Sequence, residues 1–372
     1  MNLTEEQSAI YQAVLDGIPS CPVQSIGGYA GTGQTVLVSE MACGLPRFAV
    51  AAFTGKAANV LREKGVKRAQ TIHSLIYHVE DKVVVEMQTQ PDGTKRRRIS
   101  TVPEYHLRDL LPDVEGILVD EASMVTAQLY SDLLTFGLPI VFVGDHGQLP
   151  PVGDDPGVMT DPDYRLETIH RNANEIAHFG AHVRQGNWAS QWRQVPGAGK
   201  LVRFISPSEV IRHMKTTEQT IVAFNGKRVE FNRDYRKQVL GEVGNMPIAG
   251  DRLICLRNTR HLKLFNGQQV TAKLVTSTKL IQIQDDEGKN KDVDYTCATF
   301  NQVKPDFDRS PHAPVPFDFA YAITCHKSQG SEWSSGLVLE QFCPWWEHAR
   351  WAYTAATRFK NKLYWTNPKW KT

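Results

Sequence analysis

The glycine-rich segment at residues 27–35 reads GGYAGTGQT, and its spacing suits phosphate chemistry. Gly28, Gly33 and Thr35 hold three positions of the pattern G-x-x-x-x-G-K-[ST], in which backbone N–H groups at a helix start bind phosphate oxygens. Gln34 stands where the pattern has a lysine. A lysine adds a positive charge over the β and γ phosphates, whereas a glutamine adds only a neutral amide. The segment therefore predicts a nucleoside triphosphate site and leaves its hydrolytic rate open.

Two acidic residues, Asp120 and Glu121, end the apolar run ILVDE. Triphosphate hydrolysis needs one carboxylate to hold Mg²⁺ through water and a second to orient or deprotonate the attacking water. We assign these roles to Asp120 and Glu121, with Thr35 as the other magnesium ligand. Such a pair is often only a polar strand end on a surface. The glycine-rich segment earlier in the chain favours the catalytic assignment here.

A third polar segment, GDHGQLPPVG at residues 144–153, follows another apolar run. Gln148 in this segment can hydrogen-bond a γ-phosphate and report its presence to a neighbouring domain. Asp145 and the two prolines shape the loop. A simple Pro-Gly turn would demand no particular order of polar residues, so we interpret the segment as part of the nucleotide site.

The elements that must position these segments alternate between apolar strands and helices. A helix over residues 4–16 opens with Thr4 and Gln7 at capping-box spacing. A strand that ends at Ile26 leads into the glycine-rich segment, and the runs ILVDE and PIVFVGD form further strands. Near-continuous apolar strands separated by helices indicate a parallel sheet with helices on both faces. We therefore predict a nucleotide-binding α/β domain over residues 1–165.

The rest of the chain predicts a second α/β domain over residues 166–372, with TIVAFN as a buried strand. Two insertions interrupt this plan. Alternating residues on both sides of a Pro-Asp-Gly turn predict a β-hairpin at about 79–101, inserted in the first domain. Short β-like pieces separated by turns predict a small β-barrel at about 247–310, after which the second domain resumes at DFAYAITCHKSQG.

The composition narrows the class of protein. The chain has 372 residues with 42 basic and 40 acidic side chains, so a nucleic-acid site would have to be a local basic track. Its six cysteines form no C-x-x-C pair, which argues against a zinc cluster or a disulfide framework and fits a reducing cytosol. No run approaches the roughly 18 apolar residues of a membrane span, and the polar start is no secretory signal. We expect a cytoplasmic protein, in a bacterial or phage-infected cell, without membrane contact.

Short motifs along nearly the whole chain carry a family resemblance. In chain order they are LTEEQ, the glycine-rich segment, FTGKAA, TIHSL, the DE pair, GDHGQLPPVG, LETIHR, HKSQGSEW and YTAATR. Each string alone is weak, but their order resembles that of a superfamily 1 DNA helicase of the RecD/Dda-like branch, which moves 5′ to 3′. The resemblance implies two RecA-like parallel-sheet domains. It also implies that the hairpin is the strand-separating pin and that the barrel is an SH3-like module.

The resemblance also implies roles for individual residues. Gln7 would read the adenine, and Arg171 and Arg358 would be arginine fingers that act with Glu121 and Gln148 in catalysis. The nucleotide-binding residues would be Gln7, Gly28, Ala30, Gly31, Thr32, Gly33, Gln34, Thr35, Gly330 and Glu332. The DNA-binding residues would be Thr54, Lys56, Thr71, His73, His326 and Lys327. The implied cofactors are ATP and Mg²⁺. The implied partners are single-stranded and fork DNA for a monomer, with replication or recombination proteins as further candidates.

Several interpretations stay open at this point. The Gln34 side chain fits an introduced Lys-to-Gln change, a natural variant with residual activity, or a degenerate helicase, in that order of preference. A degenerate helicase predicts losses at other catalytic positions, yet Asp120, Glu121, Gln148, Arg171 and Arg358 are all present. The function could accordingly be that of a helicase, of a catalytically silent DNA-binding or complex-forming subunit, or of a viral-type RNA helicase.

Two side-chain groups outside the motifs allow two interpretations each. The basic run KRRR at residues 95–98 is either a solvated strand edge that prevents aggregation or a contact to duplex phosphates. Four aromatic side chains could stack nucleic-acid bases, namely Trp345, Trp346, Trp351 and Tyr353, but their closeness in sequence to Arg358 favours packing in the core.

Overall fold

The computed structural model of the protein describes residues 3–89, 95–151, 153–169, 175–259, 262–285, 288–310, 313–342 and 347–367. Within 81–103 it describes only the side chain of Val83. The helices are α1 (Glu5–Gly17), α2 (Gln34–Gly44), α3 (Gly55–Glu63), α4 (Ile72–Ile76), α5 (Ala127–Leu134), α6 (Glu175–Arg184), α7 (Val210–Met214), α8 (Asn225–Tyr235), α9 (Cys325–Ser328) and α10 (His348–Ala356).

The strands up to residue 222 are β1 (Val23–Gly28), β2 (Phe48–Ala52), β3 (Gln70–Thr71), β4 (Tyr77–Thr89), β5 (Lys95–Leu107), β6 (Gly116–Asp120), β7 (Ile140–Gly144), β8 (Tyr164–Leu166), β9 (Val202–Phe204) and β10 (Gln219–Val222). The later strands are β11 (Arg252–Cys255), β12 (Gln269–Val275), β13 (Leu280–Gln284), β14 (Asn290–Thr296), β15 (Val315–Phe319), β16 (Ala322–Thr324), β17 (Trp333–Leu339) and β18 (Phe359–Thr366). No helix of the described ranges is long and apolar enough to cross a membrane.

The first RecA-like sheet has the strand order β3-β2-β6-β7-β1-β8, with parallel pairing throughout. Its central strands are fully buried, as Ile117, Leu118 and Val119 of β6 illustrate. Burial on both faces is what the near-continuous apolar runs predicted, and the parallel sheet is confirmed. The carboxyl ends of β1, β6 and β7 meet at one edge, which brings the three polar segments of the sequence to the same place.

The second RecA-like sheet has the strand order β16-β10-β17-β18-β9, and its β10, β17, β18 and β9 run parallel. Aromatic side chains of α6, α10 and β18 form the core on this sheet. The rings of Phe179 on α6 and Trp365 on β18 lie 5.1 Å apart. Trp351 and Tyr353 on α10 are 0% and 1% exposed, so the prediction that they pack in the core is confirmed. Trp345 and Trp346 lie outside the described residues.

The hairpin and the barrel are both present. Strands β4 and β5 pair in antiparallel register from Tyr77–Leu107 to Thr89–Lys95, so the hairpin extends beyond the predicted 79–101 at its base. Its turn and the side chains of the basic run at 95–98 lie outside the described residues. Strands β11 to β15 form a closed barrel.

The barrel ends later than the sequence suggested. Its last strand, β15, lies beyond residue 310 in the stretch that was assigned to the resumed second domain. The side chains of Phe317 and Phe319 are fully buried, and apolar side chains of this kind fill the interior of a small barrel. The second sheet resumes only at β16.

The described chain divides into two compact units. One unit comprises residues 1–76, 109–224 and 323–372, which include both RecA-like sheets, and the other comprises 77–108 and 225–322. Strand β8 pairs with β1 in the first sheet, although it spans the boundary predicted at residue 165. The division into domains at 165 stays a prediction.

Candidate nucleotide site

The glycine-rich loop connects β1 to α2 and leaves the start of that helix free of a side-chain cap. Gly33 is the N-cap residue and has φ 78°, in the left-handed region that glycine adopts without strain. The first N–H groups of a helix have no partner within the helix, and here no capping side chain takes their place. These N–H groups are the donors that a phosphate would accept from.

Gly28 is required by close approach within the loop. A Cβ at this position would lie 2.8 Å from both Thr32 Oγ1 and Gln34 Nε2. Thr32 is fully buried, and its hydroxyl donates to the carbonyl of Tyr29 at 2.8 Å. The loop is therefore held from inside, as a preformed phosphate cradle requires.

Gln34 ties the loop to the neighbouring strand. Its side-chain N–H group donates to the carbonyl of Gly28 and, at 3.0 Å, to the carbonyl of Gly144 at the end of β7. A lysine ammonium group placed here has the same donors and a positive charge in addition. The surroundings of Gln34 therefore suit a lysine, although they hold a neutral amide.

Gln7 also contacts the loop. The predicted capping box is confirmed, because Thr4 and Gln7 exchange both of its hydrogen bonds at the start of α1. The Gln7 amide group donates to the carbonyls of Thr32 at 3.1 Å and Gly33 at 3.4 Å. The structure thus places Gln7 against the loop backbone, and its role toward adenine stays a prediction.

Asp120 is the last residue of β6, and Glu121 follows it. Strand β6 pairs with β7, which in turn pairs with β1, the strand that leads into the glycine-rich loop. Glu121 has φ 55°, and its N–H group donates to Asp120 Oδ1 at 2.9 Å. Burial raises the pKa of Asp120 to about 6, against the opposing effects of that hydrogen bond and of Lys64. Burial and the charge of Asp120 raise the pKa of Glu121 to about 7, while Arg358 lowers it. Two such carboxylates fit a cation site, because a nearby cation favours their charged forms.

The sensor loop, which we define as residues 144–149, begins at the last residue of β7. The Asp145 carboxylate accepts hydrogen bonds from Gly147 N at 2.9 Å and from Gln148 Nε2 at 3.1 Å. Gln148 is 5% exposed, and its Oε1 has no hydrogen-bond partner among the described residues. A buried acceptor without a partner is costly, so this oxygen fits a donor such as a bound water molecule.

His146 in the sensor loop is half-buried, with both of its ring nitrogens buried. Its ring lies 4.1 Å from the ring of Tyr29, and neither ring nitrogen has a partner among the described residues. Burial, followed by the charges of Arg165, Arg184 and Arg350, lowers its pKa to about 4. The folded state therefore resists protonation of this imidazole more than the unfolded state does.

This difference predicts a pH effect on stability. Because the folded pKa of His146 lies below its unfolded value, its contribution to stability is lost as the pH falls from about 6.5 to about 4. A His146→Phe protein should therefore lose less stability than the parent over this range. Thermal melts at pH 7.5 and pH 5 should show the gap in Tm moving in favour of the variant by on the order of 2–4 °C. An exposed-site control, His178→Phe, should show no such shift, and equal shifts would refute the assignment.

The sensor loop also contacts the second sheet. Leu149 N donates to Thr354 Oγ1 on α10 at 2.8 Å, and Gln329 Nε2 donates to the carbonyl of Leu149 at 3.0 Å. Thr354 is fully buried. Neither Thr354 nor Gln329 was predicted as a site residue, although they lie inside the motifs YTAATR and HKSQGSEW.

Arg358 lies just beyond the end of α10 and is 5% exposed. Its Nε donates to the carbonyl of Thr354 at 3.1 Å and its Nη2 to Thr357 Oγ1 at 3.2 Å. The guanidinium charge is close enough to lower the pKa of both Glu121 and Asp145. The role of Arg358 as an arginine finger stays a prediction, and Arg171 lies outside the described residues.

Two of the predicted DNA-binding residues contact the motif HKSQGSEW. Thr54 is the N-cap residue of α3, and a Cβ on Gly330 would lie 2.8 Å from its Oγ1. Lys56 Nζ lies 5.2 Å from the centre of the Trp333 ring. Glu332, predicted to approach the nucleotide, forms an ion pair with Lys360 at 2.6 Å. Burial raises the pKa of Glu332, but Lys360, Arg358 and Lys64 together lower it below its usual value.

Of the remaining predicted DNA-binding residues, Thr71 ends β3, and the other three lie on the short helices α4 and α9. His73 is exposed on α4, and the hydroxyl of Thr71 before it accepts from Ser74 N at 3.2 Å. His326 and Lys327 are half-buried on α9, where burial lowers the pKa of His326. Their contact with DNA stays a prediction.

Gly330 gives a second stability prediction. It has φ 68° and lies against Thr54 Oγ1, which cannot turn away without losing its capping bond to Ala57 N. Gly330→Ala should lower the free energy of unfolding by about 2–3 kcal/mol, from left-handed strain and the clash together. At the control Gly186→Ala, φ is 85° and no atom of the described residues lies within 4 Å of the added Cβ, so the loss should be only about 1 kcal/mol. Urea unfolding measures both, and equal losses would show that the Thr54 contact is absent.

Comparisons with known proteins agree with this geometry. Residues 2–201, more than half of the 372-residue chain, match a family model described as an AAA domain. Residues 319–365 match a model described as a UvrD-like helicase C-terminal domain.

Two curated relatives and one solved structure extend the likeness to the whole chain. The ATP-dependent RecD2 DNA helicase of Deinococcus radiodurans is 26% identical over 400 residues, which cover 97% of this chain and 48% of the relative. The RecBCD enzyme subunit RecD of Mycolicibacterium smegmatis is 24% identical over 429 residues, which cover 96% of this chain and 70% of the relative. The chain thus spans about half the length of the first relative and more of the second.

The crystal structure of Bacteroides Pif1 bound to ssDNA has a TM-score of 0.60 and 18% identity, and the match covers 100% of this chain and 93% of that one. At this level of identity the likeness concerns the fold, namely the two RecA-like sheets. The sequence relatives agree with this fold. The glycine-rich loop, the two carboxylates and the sensor loop, which meet at one edge of the first sheet, agree with it as well. The chain belongs to the family described as the AAA domain and is similar to superfamily 1 helicases of the RecD type.

Proposed function

We propose that the chain is an ATP-dependent DNA helicase that translocates 5′ to 3′ along single-stranded DNA. The observation that carries this proposal is the direct bonding between the sensor loop of the first sheet and α10 of the second. Leu149 and Thr354 provide one such bond, and Arg358 on the same segment approaches Glu121. A γ-phosphate sensor that holds the partner lobe can convert nucleotide state into movement of that lobe.

The roles of the nucleotide-site residues follow from this arrangement. The N–H groups of the glycine-rich loop would bind the phosphates, with Gln7 against the loop at the base end. Thr35 and Asp120 would hold Mg²⁺, which supplies positive charge to the phosphate oxygens. The fit of this cation rests on the two carboxylates at the end of β6, whose pKa values burial raises.

The catalytic roles are likewise part of the proposal. Glu121 would accept a proton from the attacking water, and its place directly after Asp120 at the end of β6 suits that role. Gln148, whose Oε1 has no hydrogen-bond partner in the part of the chain that the structure describes, would orient that water or contact the γ-phosphate. Arg358 and Arg171 would stabilise the charge that develops during phosphoryl transfer.

DNA handling would depend on both lobes. Thr54, Lys56, Thr71 and His73 of the first lobe, with His326 and Lys327 of the second, would contact the single strand. Closing and opening around the nucleotide would then advance these contacts along the strand, while the β4–β5 hairpin would act as the wedge at a fork. We propose that the chain works as a monomer on fork DNA.

The polarity can be tested with tailed duplexes. The Gln34→Lys protein, which restores the charge of the phosphate loop, should unwind a duplex with a 5′ single-stranded tail in the presence of ATP and Mg²⁺. It should leave a duplex with only a 3′ tail intact. Unwinding of the 3′-tailed substrate alone would contradict the direction, and an excess of RNA strand that competes as well as DNA would favour an RNA helicase.

One observation favours a second candidate, a catalytically silent DNA-binding or complex-forming subunit. The Gln34 amide group already satisfies the carbonyls of Gly28 and Gly144 without any charge, so the loop is stable in a form poorly suited to hydrolysis. This candidate predicts that ATP hydrolysis stays at background even in the Gln34→Lys protein. The complete set Asp120, Glu121, Gln148 and Arg358 makes us prefer the helicase.

A further inference from the structure

Tyr353 joins the glycine-rich loop to the sensor loop from the opposite sheet. Its hydroxyl group donates to Asp145 Oδ2 at 2.6 Å and accepts from Ala30 N at 2.7 Å. Ala30 lies in the glycine-rich loop, Asp145 in the sensor loop and Tyr353 on α10 of the second sheet. One atom of the second lobe is thus bonded to both nucleotide-site loops of the first.

The Tyr353 hydroxyl group donates to one of the two loops and accepts from the other. A tyrosine hydroxyl has one proton, and here it points to a carboxylate, while a lone pair accepts the loop N–H. A hydrogen bond to a charged acceptor is stronger than a neutral one, and this one is buried because Tyr353 is 1% exposed. If either loop moves, the hydroxyl must lose a partner or α10 must follow.

Packing around the ring supports the same coupling. A Cβ on Gly147 would lie 2.9 Å from Tyr353 Cε1, so the sensor loop passes too close to the ring for a larger residue at position 147. The ring of Tyr29, from the glycine-rich loop, meets the Tyr353 ring edge-on at 6.2 Å. The tyrosine therefore has little room to move independently of the two loops.

The connection continues to the predicted arginine finger. Thr354, the next residue, accepts from Leu149 N of the sensor loop. Its carbonyl in turn accepts from Arg358 Nε at 3.1 Å. The path from the glycine-rich loop to the guanidinium group consequently runs through the buried residues Tyr353 and Thr354 of α10 to Arg358, just beyond the end of that helix.

We infer that Tyr353 is a positioning residue whose hydroxyl group aligns the phosphate loop, the sensor loop and Arg358 for nucleotide hydrolysis. The inference rests on the proposed ATPase function and adds a residue that the sequence motifs did not assign. Tyr353 acts through the two loops and does not itself contact the reacting phosphate.

The test is Tyr353→Phe, which keeps the ring and removes only the hydroxyl group. In a Gln34→Lys background, kcat for DNA-stimulated ATP hydrolysis should fall about tenfold, with less than about a threefold change in KM for ATP. The control Tyr295→Phe removes a buried tyrosine hydroxyl that donates to the Ser277 carbonyl of the barrel, and it should leave kcat unchanged. An unchanged kcat in Tyr353→Phe would overturn the inference.

A second readout separates this inference from the proposed function. In the nucleotide-free protein, hydrogen exchange over residues 28–33 and 145–149 should quicken on the order of threefold in Tyr353→Phe and stay unchanged in Tyr295→Phe. If the Gln34→Lys parent shows no ATPase, the proposed function fails, and hydrogen exchange alone then decides whether Tyr353 couples the loops. Unchanged exchange in Tyr353→Phe overturns the coupling.

Discussion

Replacing Gln34 with lysine should raise the rate of DNA-stimulated ATP hydrolysis on the order of 10²–10³-fold, the effect of one well-placed electrostatic contact in a transition state. The physical reason is the missing charge, because the side chain already points its donors at the carbonyls of Gly28 and Gly144. A lysine ammonium in the same place can keep these bonds in the empty loop and turn to the β and γ phosphates when they bind. Steady-state phosphate release with and without an oligonucleotide measures the gain.

A matched control removes the general effect of an added charge. Gln12 is an exposed glutamine on α1, and Gln12→Lys makes the same chemical change far from any predicted role. It should leave hydrolysis unchanged. If Gln34→Lys gives no more hydrolysis than Gln12→Lys, the loop is not limited by its missing charge, and the silent-subunit candidate gains.

The size of the gain also bears on the origin of the glutamine. A large gain would agree with a site complete in every other respect, as an introduced or recent Lys-to-Gln change implies. A measurable rate in the Gln34 protein itself would favour a natural variant with residual activity. A degenerate helicase predicts neither.

Removing Arg358 should have the second large effect. In the Gln34→Lys background, Arg358→Ala should lower kcat on the order of 10³-fold, as expected for loss of an arginine finger. The structure is compatible with the expectation, since the buried guanidinium group lowers the pKa of Glu121, to which we assign the role of general base. Single-turnover hydrolysis under saturating ATP measures the chemical step directly.

Two further variants guard against a trivial loss of folding. Arg203 is exposed on β9 of the same sheet, and Arg203→Ala should leave kcat unchanged. Arg358→Lys keeps a positive charge but loses the planar fork of donors, and its kcat should lie between those of the parent and Arg358→Ala. A folded Arg358→Ala protein with full activity would remove Arg358 from the proposed mechanism.

The elements of the first sheet were predictable because their signals are local. The capping box at Thr4 and Gln7, the glycine-rich loop and the apolar runs that end at Asp120 and Gly144 depend on short stretches of sequence. The parallel sheet followed from strands apolar on both faces, and its carboxyl edge then brought the polar segments together.

Other features depend on contacts between distant residues, which a single sequence does not reveal. Tyr353 was expected to pack in the core and Thr354 was not singled out. Their hydrogen bonds to loops some two hundred residues earlier arise only in the folded chain. Residues 315–319 read as a buried strand of either the barrel or the second sheet, because both environments demand apolar side chains. Their barrel pairing with β11 is a choice of tertiary structure.

The most direct test of the central claim is the affinity for single-stranded DNA with and without a non-hydrolysable ATP analogue and Mg²⁺. If the two lobes respond together to the nucleotide, fluorescence anisotropy with a labelled oligonucleotide should show at least about a fivefold change in Kd in the Gln34→Lys protein. An affinity that the analogue leaves untouched, in a protein shown to bind that analogue, would contradict the account.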